Sequence, residues 1–243
     1  MSINEPVNEI LLNTLFQVKE FKPDINVKDY ENKIICANSM DIIKRIPSNS
    51  IPLILTDIPY GVINRTSAGI RDFDKLDADI VDFNLEELAY ELNRICSGSL
   101  YIFCSTEQVS FLRDYLSNKK MTTRLCIWEK TNPSPVNCQY FWMNGIETCI
   151  YARKKGATFN EHYKNCVWKF PSGKRTFHPT QKPLALFEYL IKTSSNENDL
   201  VFDPFAGSST TAVAAKNLNR KYFCIEKNEE YVIESEKRLL GKK

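Results

Sequence analysis

The sequence predicts a single α/β domain built on a doubly wound, mostly parallel sheet. Between residues 33 and 226, short apolar segments typical of buried strands alternate with amphipathic segments typical of helices. Two strands end in an acidic side chain followed at once by a tight turn, in LILTDIPYG at 53–61 and in LVFDPFAGSS at 200–209. Ligands of such sheets bind at the carboxyl ends of the strands, so these two turns mark the predicted site.

The predicted sheet has seven strands. They are KIICANS (33–39), IPLILTD (51–57), SLYIFCS (99–105), RLCIWEK (124–130), GIETCIYAR (145–153), LVFD (200–203) and KYFCIE (221–226). Helices are predicted over 40–46, over 84–95 with Asn84 as N-cap, over 106–118, over 182–194 with Pro183 at the start, and over 208–218. A further amphipathic helix over 7–18 is expected to pack on the domain or on a second subunit.

The composition is that of one globular domain covering residues 1–243, with 43% hydrophobic and 26% charged residues. No apolar run reaches the length of a bilayer span, and Glu5 and Glu9 lie where an export signal carries positive charge. The eight cysteines form no C-x-x-C pair and there are only two histidines, which favours free thiols and no metal site. We therefore expect a cytoplasmic protein without a membrane partner.

Two segments are candidate binding regions. Residues 151–182 contain eight Lys or Arg and one acid, Glu161, with aromatic side chains between them. Such a segment is typical of a nucleic-acid-binding face, although a solvated basic loop has the same composition. Residues 61–82 are polar, lack apolar periodicity and are longer than most loops of compact domains.

The turn after residues 200–203 has the features of a nucleoside site. Asp203 ends one strand, Gly207 lets the backbone approach a ligand, and Glu226 ends the next strand, where it can accept hydrogen bonds from ribose hydroxyls. The G-x-G-x-x-G pattern of a dinucleotide site is absent, so a ligand without phosphates fits better, and S-adenosylmethionine is the commonest such cofactor. Ordinary strand and helix caps would give the same pattern, and on these residues alone both interpretations stay open.

The turn at residues 57–60 has the features of an amine site. Asp57 offers a carboxylate, and Pro59 holds Ile58 extended, so that the Ile58 carbonyl is aimed. Tyr60 supplies a flat ring. Two acceptors beside a stacking ring suit an exocyclic amine on an aromatic base, because holding both amine hydrogens favours the pyramidal geometry in which the nitrogen lone pair can attack. A strand that simply ends in a proline turn is the alternative interpretation.

These two turns, in this order, resemble the amino-group DNA methyltransferases of the permuted (beta) group, in which the catalytic tetrapeptide precedes the cofactor motif. The family typically reads DPPY or SPPY where this chain has DIPY. The resemblance covers roughly residues 33–240 and includes IICANS, SLYIFCS, IWEKTNPSP, NGIETCIYARK, FHPTQKPLALFEYLI and FDPFAGSSTTAVAAKNLNRKYFCIEKN. The element HPTQKP, at residues 178–183, is especially specific to this family.

The resemblance implies a Rossmann-like methyltransferase fold with a seven-stranded sheet containing one antiparallel strand, S-adenosylmethionine as cofactor, and a base flipped out of double-stranded DNA. It implies a catalytic turn of Asp57, Ile58, Pro59 and Tyr60, with Tyr60 stacking on the base. It implies a cofactor pocket formed by Asn38, His178, Lys182, Asp203, Phe205, Gly207, Ser208, Ser209, Thr210 and Glu226, in which Lys182 meets the cofactor carboxylate.

The DNA contacts are expected from two regions. A mobile loop over 61–82 would contribute Arg65, Arg71 and Lys75, and a short basic target-recognition segment over 153–177 would contribute Lys154, Lys155, Lys169, Lys174 and Arg175. Trp128 and Trp142 are expected to pack in the core or at its rim rather than to enter DNA. A homodimer and a cognate restriction endonuclease are further partners that the family suggests.

The chain departs from the family at Ile58, which replaces the first proline of the tetrapeptide. Because this position supplies a main-chain carbonyl, we expect activity to survive with a less rigid turn. Asp rather than Ser at position 57 favours adenine N6 as the methylated amine. Cytosine N4 is the first alternative, followed by an RNA or protein substrate, and then by a non-catalytic DNA-binding subunit.

Overall fold

The structure is a computed structural model that describes residues 24–60, 83–135, 138–173 and 181–241. The described residues form eight strands, which are β1 Lys33–Cys36, β2 Ile51–Asp57, β3 Cys96–Cys104, β4 Thr122–Lys130, β5 Ile146–Arg153, β6 Val167–Phe170, β7 Leu200–Asp203 and β8 Lys221–Glu226. Six α-helices accompany them, namely α1 Ser39–Ile43, α2 Leu85–Ile95, α3 Thr106–Asn118, α4 Leu184–Ser194, α5 Thr210–Asn217 and α6 Glu229–Leu239. The predicted helix over 7–18 lies outside the described residues.

The strands form one sheet in the order β1-β8-β7-β2-β3-β5-β4-β6. All neighbours are parallel except β5, which runs antiparallel to β3 and β4 on either side of it. The predicted Rossmann-like, mostly parallel sheet with one antiparallel strand is confirmed. The sheet has one strand more than the seven predicted, because β6, inside the basic segment, pairs along the outer edge of β4.

Helices cover both faces of the sheet. Asn84 begins α2, because its side-chain oxygen accepts hydrogen bonds from the backbone N–H groups of Glu86 and Glu87. Buried side chains of α1, α2 and α3 pack with Ile54 and Ile102 on one face, and those of α4 and α5 pack with Leu55 on the other. Alternate strand residues thus serve two cores, as expected for a sheet covered on both sides.

The strand order reverses direction at β2. On one side of β2 lie β3, β5, β4 and β6, in that order across the sheet. On the other side lie β7, β8 and β1. In doubly wound sheets such a switch point opens a crevice outside the carboxyl ends of the strands. Asp57, Asp203 and Glu226 end β2, β7 and β8 respectively, so all three acids lie along this edge.

All eight cysteines are free. Among the described residues, no helix combines the length and the hydropathy needed to cross a membrane.

The pairing that places Asp57 beside Phe103 depends on Gly98. A Cβ at this position would lie 2.2 Å from the backbone oxygen of Pro52, on the neighbouring strand. We predict that Gly98→Ala lowers the free energy of unfolding by about 2 kcal/mol, because the strands must separate. Urea unfolding measures this change, and Ser97→Ala, at an exposed neighbour, should stay within about 0.5 kcal/mol of the wild type. An unchanged midpoint for Gly98→Ala would contradict the close approach.

Candidate active site

A cavity of about 390 Å³ opens at the carboxyl edge of the sheet. This volume is in the range of small-molecule sites. Of the predicted site residues, the cavity is lined by Asn38, Asp57, Ile58, Pro59, Tyr60, Lys182, Asp203, Phe205, Gly207, Ser208, Thr210 and Glu226. Ser209 is fully buried beside it, at the start of α5. The structure therefore brings the turn at 57–60 and the turn at 203–210 to one cavity.

Gly207 and Glu226 form the part of the cavity suited to a ribose. Gly207 has a positive φ of 50°, a conformation that favours glycine, and its N–H donates to Oε2 of Glu226 at 2.8 Å. Oε1 of Glu226 accepts from the N–H of Asn228 at 2.9 Å. A carboxylate has about four lone-pair sites. Glu226 is thus fixed in place and still has acceptor capacity for two ribose hydroxyls.

Asp203 acts inside the turn. Its carboxylate is 3% exposed and accepts from the N–H of Phe205 at 3.1 Å and from the hydroxyl of Thr211 at 2.6 Å. Burial raises the pKa of Asp203 to about 6, because the charged form is desolvated, and these hydrogen bonds oppose the rise. Asp203 therefore ties the end of β7 to α5 and shapes the turn.

Another part of the cavity wall is formed by Asn38 and by the rings of Phe83 and Phe205. Asn38 begins α1 by accepting from the N–H of Met40 at 2.9 Å. Next to it, the Ser39 hydroxyl donates to the carbonyl of Pro204. The ring of Phe205 lies 5.2 Å from that of Phe83. A carboxylate for ribose beside apolar aromatic surface fits a nucleoside-containing cofactor such as S-adenosylmethionine.

The turn at 57–60 is held at two points. The N–H of Ile58 donates to the carbonyl of Phe103 at 3.1 Å, a bond that a proline could not make, and the Ile58 side chain is 1% exposed. The Gln108 amide donates to the carbonyl of Pro59 at 3.1 Å, while its oxygen accepts from the N–H of Ser105 at 2.9 Å. Gln108 was not among the predicted site residues, although Ser-x-x-Gln before an apolar segment is a capping-box signal that marks this helix start.

A chain of alternating charges lies beside that turn. The Lys182 ammonium, 7% exposed, contacts the Asp57 carboxylate and lies 3.1 Å from Oε2 of Glu147. Lys130 approaches Oε1 of Glu147 at 2.9 Å. The Tyr60 hydroxyl donates to Oδ1 of Asp57 at 2.9 Å and lies 3.5 Å from Glu147. Two carboxylates and two ammonium groups thus balance in a partly buried cluster.

The environment sets the charge of each group in this cluster. Burial would lower the pKa of Lys182, but Asp57 and Glu147 together raise it well above its usual value. Burial would raise the pKa of Glu147, but Lys182 and Lys130 hold it below the usual value. Burial raises the pKa of Asp57, and Lys182 opposes this. Burial raises the pKa of Tyr60 well above 10, so its hydroxyl remains a donor.

The structure places Lys182 differently from the sequence interpretation. The ammonium lies on two carboxylates of the protein, and its contact with a cofactor carboxylate stays a prediction. Glu147 and Lys130 were missed. The signal available was a charged residue at the start of the apolar strand IETCIYAR and another at the end of the apolar strand TTRLCIWEK.

The predicted DNA contacts fall into three groups. Lys169 is on β6, near the edge of the sheet at which the cavity opens. Its side chain is 66% exposed and pairs with Glu129 at 3.1 Å. Lys154 and Lys155 follow β5 at the opposite edge of the sheet, where Lys154 donates to Asn49 at 2.6 Å, so the structure does not bring them to the cavity. Arg65, Arg71, Lys75, Lys174, Arg175 and His178 lie outside the described residues, as does the loop over 61–82.

The connection between β4 and β5 exposes a run of large apolar side chains. Trp128 is buried as expected, at 2% exposure, but Trp142 is 92% exposed, so the expectation that it packs was wrong. Its neighbours Tyr140 and Phe141 are 84% and 78% exposed. Adjacent Asn144 lines the cavity. We call residues 140–143 the aromatic ridge. Exposed apolar clusters of this kind mark interaction sites.

The sequence of the chain is similar to those of known DNA methyltransferases. The family model described as DNA methylase matches residues 51–237. The chain is 32% identical to the Type II methyltransferase M.HinfI of Haemophilus influenzae, over 88% of this chain and 70% of that protein. It is also 32% identical to the DNA adenine methyltransferase YhdJ of Escherichia coli (strain K12), over 82% of this chain and 79% of that one.

Solved structures show the same likeness. A crystal structure of a complex of M1.HpyAVI with SAM is 31% identical, with a TM-score of 0.66 over 85% of this chain and 99% of the other. The cytosine-N4-specific PvuII DNA methyltransferase superposes with a TM-score of 0.69 over 85% of each chain. At 17% identity the latter likeness concerns the fold alone.

Asp203 should make stability depend on pH. Its pKa of about 6 in the fold exceeds the ordinary 3.8, so between these values the folded chain keeps a proton that the unfolded chain has released. The contribution of Asp203 to the free energy of unfolding therefore falls as pH rises from about 4 to 6, by on the order of 1 to 3 kcal/mol, and is constant above.

The test is urea unfolding of the wild type and of Asp203→Asn between pH 4 and 7. The wild type should lose stability relative to the variant as pH rises. Asp114→Asn, on the exposed side of α3, controls for the loss of a carboxyl group. A difference between wild type and Asp203→Asn that does not change with pH would contradict the raised pKa.

Proposed function

Since the chain belongs to the S-adenosylmethionine-dependent DNA methyltransferases that modify exocyclic amines, we propose that it methylates N6 of an adenine flipped out of double-stranded DNA. One observation carries this proposal. The Asp57 carboxylate and the Tyr60 ring line the same cavity as Gly207 and Glu226. The groups that would accept the amine therefore lie beside those that would hold the nucleoside.

The residues of the cavity would hold the cofactor as follows. Glu226, Phe205 and Asn38 all line the cavity. Glu226 would accept hydrogen bonds from the ribose, Phe205 would pack against the base, and Asn38 would bound the pocket on the side of α1. When bound, S-adenosylmethionine would supply a methyl group that is attached to a positively charged sulfur. The sulfur would keep the electron pair of the broken bond and leave as a neutral thioether.

The turn at 57–60 then prepares the amine. Asp57 and the Ile58 carbonyl accept its two hydrogens, which makes the nitrogen lone pair available for attack. After the nitrogen has bonded to the methyl carbon it bears a positive charge, and Asp57 takes the proton that the nitrogen releases. Tyr60 stacks on the base and donates its hydroxyl to Asp57 at 2.9 Å, which fixes the carboxylate. Extruding the base costs a few kcal/mol, offset by these contacts.

Adenine is favoured over cytosine by the acid at position 57. YhdJ is named an adenine methyltransferase and is 32% identical to this chain, whereas the cytosine-N4-specific relative is 17% identical and speaks for the fold only. Cytosine N4 remains the alternative. The name Type II methyltransferase, given to M.HinfI, supports a restriction endonuclease as a partner. That partner, a homodimer and a cytoplasmic location stay predictions.

The aromatic ridge supports duplex DNA as the substrate. It lies beside the cavity that would receive the flipped base, so its rings can stack in the space that the base leaves in the helix. Lys169 at the same edge can approach a phosphate, in exchange for its exposed pair with Glu129. The cavity would thus hold the extruded base, while the ridge would fill the space that the base leaves in the helix.

The function is tested by methyl transfer from labelled S-adenosylmethionine to mixed-sequence duplex DNA, followed by mass analysis of the nucleosides. We expect N6-methyladenine from the wild type, and a rate lower by about 100-fold or more in Asp57→Asn, which keeps the shape and loses the charge. Asp114→Asn, on the surface of α3, should keep the wild-type rate. N4-methylcytosine would overturn the adenine assignment, and an unchanged rate in Asp57→Asn would overturn the role of Asp57.

The ridge is tested with Trp142→Ala. Because Trp142 contacts little of the protein, folding and cofactor affinity should be unchanged, while the Kd for duplex DNA rises about tenfold through the lost stacking. Fluorescence anisotropy with labelled duplex measures this affinity. Tyr90→Ala, at an exposed aromatic residue of α2 (49% exposed), is the matched control. Equal DNA affinity in wild type and Trp142→Ala would exclude the ridge from the interface.

A further inference from the structure

The charged cluster beside Asp57 includes a group that the reaction scheme does not use, Glu147. We propose that Glu147 is a positioning residue of methyl transfer, which shares the Lys182 ammonium with Asp57 and so keeps Asp57 an ionised but incompletely neutralised acceptor for the substrate amine. This inference rests on the proposed function, because it assigns Asp57 as the acceptor. It concerns the transfer step and applies equally to adenine and cytosine.

The geometry shows a divided ion pair. Lys182 contacts Asp57 and lies 3.1 Å from Oε2 of Glu147, so one ammonium serves two carboxylates from different strands. Lys130 pairs with the other oxygen of Glu147 at 2.9 Å. Glu147 is therefore fixed from both sides, and it can hold Lys182 while Asp57 turns an oxygen toward a ligand.

The surroundings of Lys182 prevent it from leaving this arrangement. Its side chain is 7% exposed, and its ammonium lies 5.7 Å from the ring centres of both Tyr60 and Phe103. A buried ammonium is costly unless it is paired, and aromatic faces add a further attraction. Without Glu147, Lys182 would therefore be committed to Asp57 alone.

That commitment would weaken Asp57 as an acceptor. A carboxylate engaged by a whole ammonium is less basic, and one of its oxygens is turned away from the amine. Burial raises the pKa of Asp57 most, and Lys182 lowers it. The negative charge of Glu147 also raises the pKa of Asp57, so its effect is opposite to that of Lys182. Asp57 must be ionised and must still attract a proton. By sharing Lys182 with Asp57, Glu147 allows Asp57 to meet both requirements.

Other titratable groups on the neighbouring elements face Asp57 and Glu147. Burial raises the pKa of Cys104 on β3 to about 12 and that of Cys149 on β5 well above its usual value, so both thiols stay neutral. Among the described residues, the remaining groups are Tyr60 in the turn, Lys130 on β4, Lys182 before α4 and Asp203 on β7.

The test is the pH dependence of methyl transfer by Glu147→Gln, measured on whichever DNA amine the wild type methylates. The rate requires ionised Asp57, so its acid limb follows the pKa of Asp57. Removing the negative charge of Glu147 lowers that pKa. We expect the acid limb to move to lower pH and the plateau rate to fall about tenfold, with the Kd for S-adenosylmethionine unchanged.

Two controls separate this role from a structural one. Glu147→Asp, which restores the charge, should return the acid limb toward its wild-type position. Glu91→Gln breaks a remote ion pair with Arg94 on α2 (2.6 Å) and should leave the pH profile in place. An acid limb that stays at the wild-type pH in Glu147→Gln, or loss of cofactor binding in that variant, would overturn the proposal.

A measurement without turnover keeps the proposal distinct from the proposed function. NMR titration of ¹³C-labelled aspartate carboxyl groups, with Asp57→Asn used to assign the Asp57 signal, reports its ionisation directly. The midpoint should be lower in Glu147→Gln than in the wild type, and equal midpoints would overturn the coupling. Absence of any methyl transfer by the wild type would overturn the proposed function and leave this titration interpretable.

Discussion

The site is organised around one electrostatic constraint, the Lys182 ammonium that is shared by Asp57 and Glu147 away from bulk water. Isolated charges would be too costly there, so each must have a partner. Lys130 pairs with Glu147 and so completes the series of alternating charges. Four segments that are distant in sequence, the ends of β2 and β4, the start of β5 and the residue before Pro183, must meet for these charges to balance.

The fold meets this constraint because parallel strands end at the same edge. β2 and β4 bring Asp57 and Lys130 to that edge from one direction, and β5, running antiparallel, brings Glu147 to it from its own beginning. The hydrogen bonds of Gln108 and of the Ile58 N–H fix the turn after β2. Across the cavity, Asp203 and Glu226 do the same for the turn at 203–210, each by accepting hydrogen bonds from backbone N–H groups. Each of the two turns is thus held by its own hydrogen bonds.

Much of this could be predicted from local patterns in the sequence. Apolar periodicity located seven strands and five helices of the domain, and acids at strand ends located the cavity. β6 was missed because four residues, VWKF, within a basic segment give no clear periodicity. The pairing of Lys182 with Glu147, and the distance of Lys154 from the cavity, both follow from the antiparallel direction of β5. No local pattern encodes that direction, because it depends on which strands become neighbours.

We propose that the turn at 57–60 holds an exocyclic amine beside the residues that would bind the nucleoside. The most direct measurement is a crystal structure with duplex DNA and a cofactor analogue that cannot transfer methyl, using a target sequence identified from methylated DNA. We expect an adenine outside the helix, stacked on Tyr60, with its amine hydrogen-bonded to Asp57 and to the Ile58 carbonyl. An extruded base whose amine contacts neither group, or a target base that remains stacked in the duplex, would contradict it.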